Sequence, residues 1–107
     1  MVWVHAVSLG ETRAAAPLVA ALRQELPHMR MLLTCSTATG VAAGHELLQP
    51  EDDQTWFPYD TPAAVRRFLK RYRPAVGVIM ETEVWPNVMH AAREAQVPMV
   101  LANARLS

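Results

Sequence analysis

The sequence predicts a doubly wound α/β domain, a Rossmann-like parallel sheet of about five strands with helices on both faces. Three observations carry that prediction. Short apolar runs alternate with segments of helical periodicity along the whole chain. The runs are apolar almost without interruption, as strands covered on both faces must be. Polar side chains also gather just after each run, at the carboxyl edge where α/β proteins hold ligands.

The first run, Val2 to Val7, is rich in β-branched residues and interrupted by His5. A histidine alternating with apolar neighbours reads as a satisfied core or rim residue. Glu11 to Leu26 follows as a helix, with Leu18, Val19, Leu22 and Leu26 on one face. Pro17 falls inside it, which predicts either a kink or a helix that begins near Ala16. Met29 to Cys35 is the second strand. Thr37 to Leu48 is a shorter helix weakened by Gly40 and Gly44, and Gln54 to Phe57 is a short third strand. Asp60 and Thr61 are both candidate N-caps for a helix from Pro62 to Tyr72. Ala75 to Met80 is the fourth strand, a helix opens near Pro86, and Met99 to Asn103 is the fifth strand. Right-handed crossovers leave two orders, 3-2-1-4-5 first and the flavodoxin-type 2-1-3-4-5 second.

Composition bounds the function. A chain of 107 residues supports one domain, and 51% hydrophobic residues suffice for a core. Ten basic and ten acidic residues cancel, which argues against a nucleic-acid partner. The single cysteine, Cys35, excludes an internal disulfide and a cysteine-based zinc site. His5, His28, His45 and His90 have no metal-ligand spacing, so no metal is expected. No apolar run reaches the roughly 20 residues of a membrane span. An abrupt start in a strand and an end without a closing helix suggest a piece of a larger protein.

Two acidic turns stand out. Ser8-Leu9-Gly10-Glu11 follows the first strand, and Glu81-Thr82-Glu83-Val84-Trp85-Pro86-Asn87 follows the fourth. In the order 3-2-1-4-5 those strands are neighbours, so Glu11 and Glu81 flank one crevice with Glu83 close by. Paired carboxylates can divide labour, one accepting a proton while the other stabilises positive charge. The plainer role for Glu11 is to complement a helix dipole, and both roles stand at this point. Ser36 to Gly40 could hold phosphate or sugar oxygens, and N-capping explains it equally well. Tyr59, Asp60, Asn103 and Arg105 also fall at the carboxyl edge. Trp85 either packs over a ligand or caps the core. The sequence lacks a GxGxxG fingerprint and a P-loop, so a dinucleotide or ATP site of those kinds is unsupported. Arg66, Arg67, Lys70, Arg71 and Arg73 form a basic run that suits a solvated face or an anionic lipid surface.

The motifs HAVSLGE (His5 to Glu11), STATG (Ser36 to Gly40), FPYDTP (Phe57 to Pro62), METEVWPN (Met80 to Asn87) and NARLS (Asn103 to Ser107) occur in that order. Together they resemble the N-terminal half of 3-deoxy-D-manno-octulosonic acid (Kdo) transferases, over essentially the whole chain. The resemblance implies a GT-B fold in which residues 1–107 form the acceptor-side Rossmann-like domain. A C-terminal donor domain and an N-terminal membrane anchor would lie outside it. It implies inverting transfer of Kdo from CMP-Kdo to a lipid A precursor in lipopolysaccharide biosynthesis, without metal or other cofactor. The site would be the cytoplasmic face of a Gram-negative inner membrane. By the same resemblance Glu11 is the general base and Glu81 stabilises the transition state. Ser8, Gly10, Thr37, Gly40, Glu83, Asn87, Asn103 and Arg105 are the candidate substrate contacts. The fragment alone is expected to be soluble and inactive. Leu9 and Val84 depart from the family's common Val and Leu without changing a polar group. The rival readings are another GT-B glycosyltransferase half and a non-enzymatic flavodoxin-like binding module, which strand order separates.

Overall fold

The computed structural model describes residues 1–6, 9–80 and 85–102, without the side chain of Leu9. Its elements are β1 (Val2–His5), α1 (Leu9–Glu25), β2 (Met31–Cys35), α2 (Ala38–Gly44) and a 3-10 turn (His45–Leu47). They continue with β3 (Asp53–Trp56), α3 (Pro62–Tyr72), β4 (Val76–Ile79), α4 (Pro86–Glu94) and β5 (Met99–Leu101). The strands form one five-stranded parallel sheet in the order β3-β2-β1-β4-β5. That is the first of the two predicted orders, and the flavodoxin-type order is excluded.

Period-two alternation sorts the core onto two faces. Val2 and Val4 of β1, Met31, Leu33 and Cys35 of β2, and Val78 of β4 pack against Ala15 and Val19 of α1. Trp3, Leu32 and Ile79 turn to the other face, against Val65, Phe68 and Leu69 of α3 and Val88, Ala91 and Ala92 of α4. Every residue of β1 and β2 is buried. A side chain as large as Trp3 is tolerated there because its indole N–H donates to Thr34 Oγ1 at 2.8 Å.

Several boundaries differ from expectation. α1 runs unbroken from Leu9 through Pro17 to Glu25, so the late start near Ala16 is not observed. Pro17 lies on the exposed side of the helix, where water can satisfy the carbonyl that loses its partner. Leu26 falls beyond the last turn and is 48% exposed, not part of the packed face. β2 begins at Met31, two residues later than read. The second helix tightens into a 3-10 turn after Gly44 rather than continuing to Leu48. Gly44 is there for contact: a Cβ would lie 2.6 Å from Leu33 Cδ2 and 2.8 Å from Gln54 Nε2. The far ends of the first and fifth predicted strands, Val7 and Asn103, lie outside the described residues.

Asp52 ties the loop before β3 to the rest of the domain. Its carboxylate accepts from the backbone N–H of Gln49 at 2.8 Å and of Met31 at 2.9 Å, and from the Arg23 guanidinium. Burial pushes this carboxyl up, but the two backbone donors and Arg23 outweigh it and hold the group below the usual aspartate range. The side chain is almost wholly shielded, so removing it strands three donors. Asp52→Ala is expected to destabilise the domain by about 3 kcal/mol, read as a lowered urea midpoint.

Candidate functional site

The carboxyl edge of the sheet is built by backbone pairing that continues past the strand ends. The Met80 N–H donates to the His5 carbonyl at 2.8 Å, and the Ala6 N–H donates to the Thr34 carbonyl at 3.0 Å. The chain therefore leaves β1 and β4 side by side, at the point where the winding reverses. Glu11 sits in the first turn of α1, half-buried, at this edge. Gly10 precedes it on the exposed side. Ser8, Glu81, Glu83, Asn103 and Arg105 lie outside the described residues.

Thr37 and Gly40 meet each other. Thr37 is the N-cap of α2 and its hydroxyl accepts the Gly40 N–H at 3.0 Å, so capping uses the donor that a bound oxygen would otherwise take. Asn87 is anchored as well. Its side-chain amide donates to the Asp60 carbonyl at 2.8 Å. Of the two candidate caps for α3, Asp60 and Thr61, Thr61 fills the position by accepting the Ala64 N–H at 3.3 Å. Asp60 instead caps α4, its Oδ1 accepting the Val88 N–H at 3.2 Å. Trp85, the residue in the N-cap position of α4, makes no side-chain capping bond, so the cap is supplied from another part of the chain. The spacing of FPYDTP carries no sign of this, because the partner helix lies 26 residues downstream of Asp60 at Pro86.

A column of rings runs along the same edge. The His5 imidazole stacks on Phe57 at 3.8 Å between centroids, and Phe57 meets Trp85 at 5.1 Å. His5 is fully buried. Its Nδ1 lies 2.9 Å from Thr34 Oγ1 and 3.2 Å from the Thr34 carbonyl, and Nε2 has no hydrogen-bond partner among the described residues. The histidine is thus a core residue but only half satisfied. Burial lowers its pKa to about 4, with the Thr34 hydrogen bond opposing the shift, so it is neutral at pH 7. Cys35 is also shielded; burial pushes its thiol up and leaves it inert.

Away from this edge, Arg66, Arg67, Lys70, Arg71 and Arg73 are all exposed on α3 and its C-cap. Arg66, Lys70 and Arg73 rim a cleft of about 580 Å³ floored by Leu69, Ala91 and Val97. This cleft opens toward the amino ends of β4 and β5, the end of the sheet opposite Glu11. Arg73 adopts a left-handed conformation, φ 47°, to close α3 where glycine is the usual choice. Among the described residues no helix is long and apolar enough to cross a membrane.

A doubly wound parallel sheet with Glu11 in the first turn of α1, beside the β1–β4 switch point, defines a Rossmann-like domain. The chain belongs to the family described as 3-deoxy-D-manno-octulosonic-acid transferase (kdotransferase), whose profile matches residues 1–107. It is 55% identical over 99% of its length to 3-deoxy-D-manno-octulosonic acid transferase of Bordetella pertussis, covering 26% of that protein. The like-named protein of Haemophilus influenzae is 38% identical over 99% of the chain, which spans 25% of it. A probable mitochondrial 3-deoxy-D-manno-octulosonic acid transferase of Arabidopsis thaliana is 36% identical over the whole chain, 24% of its own length. The chain therefore spans about a quarter of the curated relatives it matches.

The buried imidazole makes stability depend on pH. Below pH 6.5 the unfolded chain binds a proton that folded His5 takes up only near pH 4. Stability therefore falls as pH drops through that window, by about 3 kcal/mol in all. Comparing urea unfolding of the wild type and His5→Phe across pH 4 to 7 checks this, since the variant should lose that share of the acid slope.

Proposed function

We propose that this chain is the acceptor-side domain of an inverting glycosyltransferase that moves Kdo from CMP-Kdo to a lipid A precursor, in lipopolysaccharide biosynthesis. Membership of the Kdo-transferase family and the pairing of β1 with β4 support the reading. That pairing brings together the segments that lead into Glu11 and Glu81, because Met80, the residue before Glu81, is hydrogen-bonded to His5. In the proposed reaction an acceptor hydroxyl oxygen attacks the anomeric carbon of Kdo as the bond to the CMP phosphate oxygen breaks. Glu11 accepts the hydroxyl proton, and CMP leaves with the bonding electrons. Positive charge develops on the sugar in the transition state, and Glu81 stabilises it. The stereochemical logic is that of inverting glycosidases, with an alcohol in place of water.

Ser8, Gly10, Thr37, Gly40, Glu83, Asn87, Asn103 and Arg105 would shape the acceptor side of the cleft. Thr37 and Asn87 would do so through the backbone they hold, since their side chains already cap α2 and anchor the Asp60 loop. A C-terminal domain would supply most contacts to CMP, and no metal or further cofactor enters the proposed step. In a full-length transferase carrying this chain, Glu11→Ala should lower kcat by about 10²- to 10⁴-fold with an unchanged unfolding transition. Release of CMP from CMP-Kdo is the readout, and the 107-residue chain alone should give none. Full turnover by the variant would reject Glu11 as the base.

The exposed basic run is proposed to rest on anionic lipid at the cytoplasmic face of the inner membrane. Each cation near such a surface contributes about 1 kcal/mol. Vesicles containing phosphatidylglycerol should bind the protein, release it as salt rises, and fail to bind a variant with Arg66, Arg67, Lys70, Arg71 and Arg73 replaced by Glu.

A further inference from the structure

Arg73 and Gln96 hold a left-handed backbone conformation, φ 47° and φ 60°, and among the described residues no other non-glycine residue does so. Each stands just past the end of a helix, α3 and α4, where glycine closes the chain without strain. Both line one cleft, the space of about 580 Å³ between those helices. That size falls in the range of small-molecule sites. Strain of this kind gathers at ligand clamps, where a side chain is worth more than a relaxed backbone.

The charges on the rim point the same way. Arg66 and Lys70 stand four residues apart on α3, Arg73 follows at its end, and all three line the cleft. None of them has an ion-pair partner among the described residues. Lys70 and Arg73 lie where the helix dipole favours a cation. Arg66 lies in the second turn and gains nothing from that dipole. Like charges four apart on a helix repel, so Arg66 and Lys70 weaken α3 unless an outside anion neutralises them. Glu94 is the one acid on the cleft wall, and His90 Nε2 engages its carboxylate at 2.6 Å. Below the rim the lining turns apolar, with Leu69, Ala91 and Val97 as the floor.

Cations at the mouth and apolar groups at the floor match an anionic amphiphile, head outward and chain inward. A free phosphate would leave the apolar floor to water, and a zwitterionic lipid would leave the cations only partly compensated. Two guanidinium forks and an ammonium suit the oxygens of a phosphodiester. We infer that the α3–α4 cleft is a site for one anionic phospholipid, its phosphate held by Arg66, Lys70 and Arg73 and an acyl chain laid on Leu69, Ala91 and Val97. The inference rests on the membrane reading of the basic run proposed above and deepens it. Attraction to a charged surface needs only the exposed cations, whereas a lipid site needs the cleft.

The test uses a full-length protein carrying this chain and dihexanoyl phosphatidylglycerol, kept below its micelle concentration and titrated by calorimetry. A single saturable site should appear. Dihexanoyl phosphatidylcholine and inorganic phosphate should each bind at least about tenfold more weakly. Arg66→Ala and Arg73→Gly should each weaken lipid binding about fivefold, the share of one cation near anionic lipid. Arg73→Gly also relieves the left-handed backbone, so its unfolding midpoint should hold or rise while binding falls. A purely structural Arg73 would leave binding unchanged. Ala95 is exposed and lines the cleft, so Ala95→Trp fills it and keeps every cation. That variant should lose the saturable site yet adsorb to phosphatidylglycerol vesicles within about twofold of the wild type. Ala95→Ser should bind like the wild type.

Equal binding of phosphatidylcholine or of inorganic phosphate overturns the inference, as does an Ala95→Trp variant that keeps the site. If Ala95→Trp lowers the unfolding midpoint, Arg66→Ala and Arg73→Gly decide, and unchanged binding in both overturns it. Tighter binding of an oligoglutamate peptide than of the lipid also overturns it, and gives the cleft to an acidic protein segment. If vesicles bind and the soluble lipid does not, the site fails and the charged face stands. If the soluble lipid binds and vesicles do not, the membrane reading fails and the site stands.

Discussion

The central position of β1 is the constraint on which the rest of the domain depends. Its backbone bonds to β2 on one edge and β4 on the other, and its side chains are buried on both faces. With no contact left for water, the polar groups on β1 depend on protein partners. Thr34 meets much of that demand: its hydroxyl serves both the Trp3 indole and the His5 ring, and its carbonyl takes the Ala6 N–H. The same placement makes β1 and β4 adjacent, which creates the switch-point crevice. Core packing and site geometry are thus two consequences of one pairing.

The two ends of the sheet have divided roles. At the carboxyl edge the structure spends its side-chain hydrogen bonds on fixing loops: Thr37 on α2, Thr61 on α3 and Asp60 on α4. Loops held at only one end would otherwise drift, and a site loses efficiency when its supports are loose by even about 1 Å. At the amino end the exposed cations of α3 surround an apolar cleft and a left-handed Arg73. The exposed basic run and Glu11 therefore lie at opposite ends of the sheet.

His5 illustrates how a site can carry an apparent defect. Its Nε2 is buried without a partner among the described residues, a cost of about 1–3 kcal/mol for an unsatisfied polar group. The ring nevertheless stacks on Phe57. Structures tend to store such costs beside functional surfaces, where a shape is worth more than the energy lost.

Much of the fold was legible in the residues themselves. Alternating apolar runs and helical periods are local signals, and they located the described strands and helices, although only the inner strands meet the expected burial on two faces and the edge strands β3 and β5 stay largely open. The ordered motifs were enough to place the family. Boundaries were less legible where tertiary contact overrode local preference, as at Pro17, which solvent exposure accommodates, and Gly44, which contact with Leu33 requires. The choice between two strand orders, the capping of α4 by Asp60 and the half-satisfied state of His5 belong wholly to the tertiary structure. Each joins residues more than 25 positions apart, and no local period encodes which distant segment will arrive. The sequence determined what chemistry was available and along which segments. Packing decided which of those groups became supports and which were left facing a cavity.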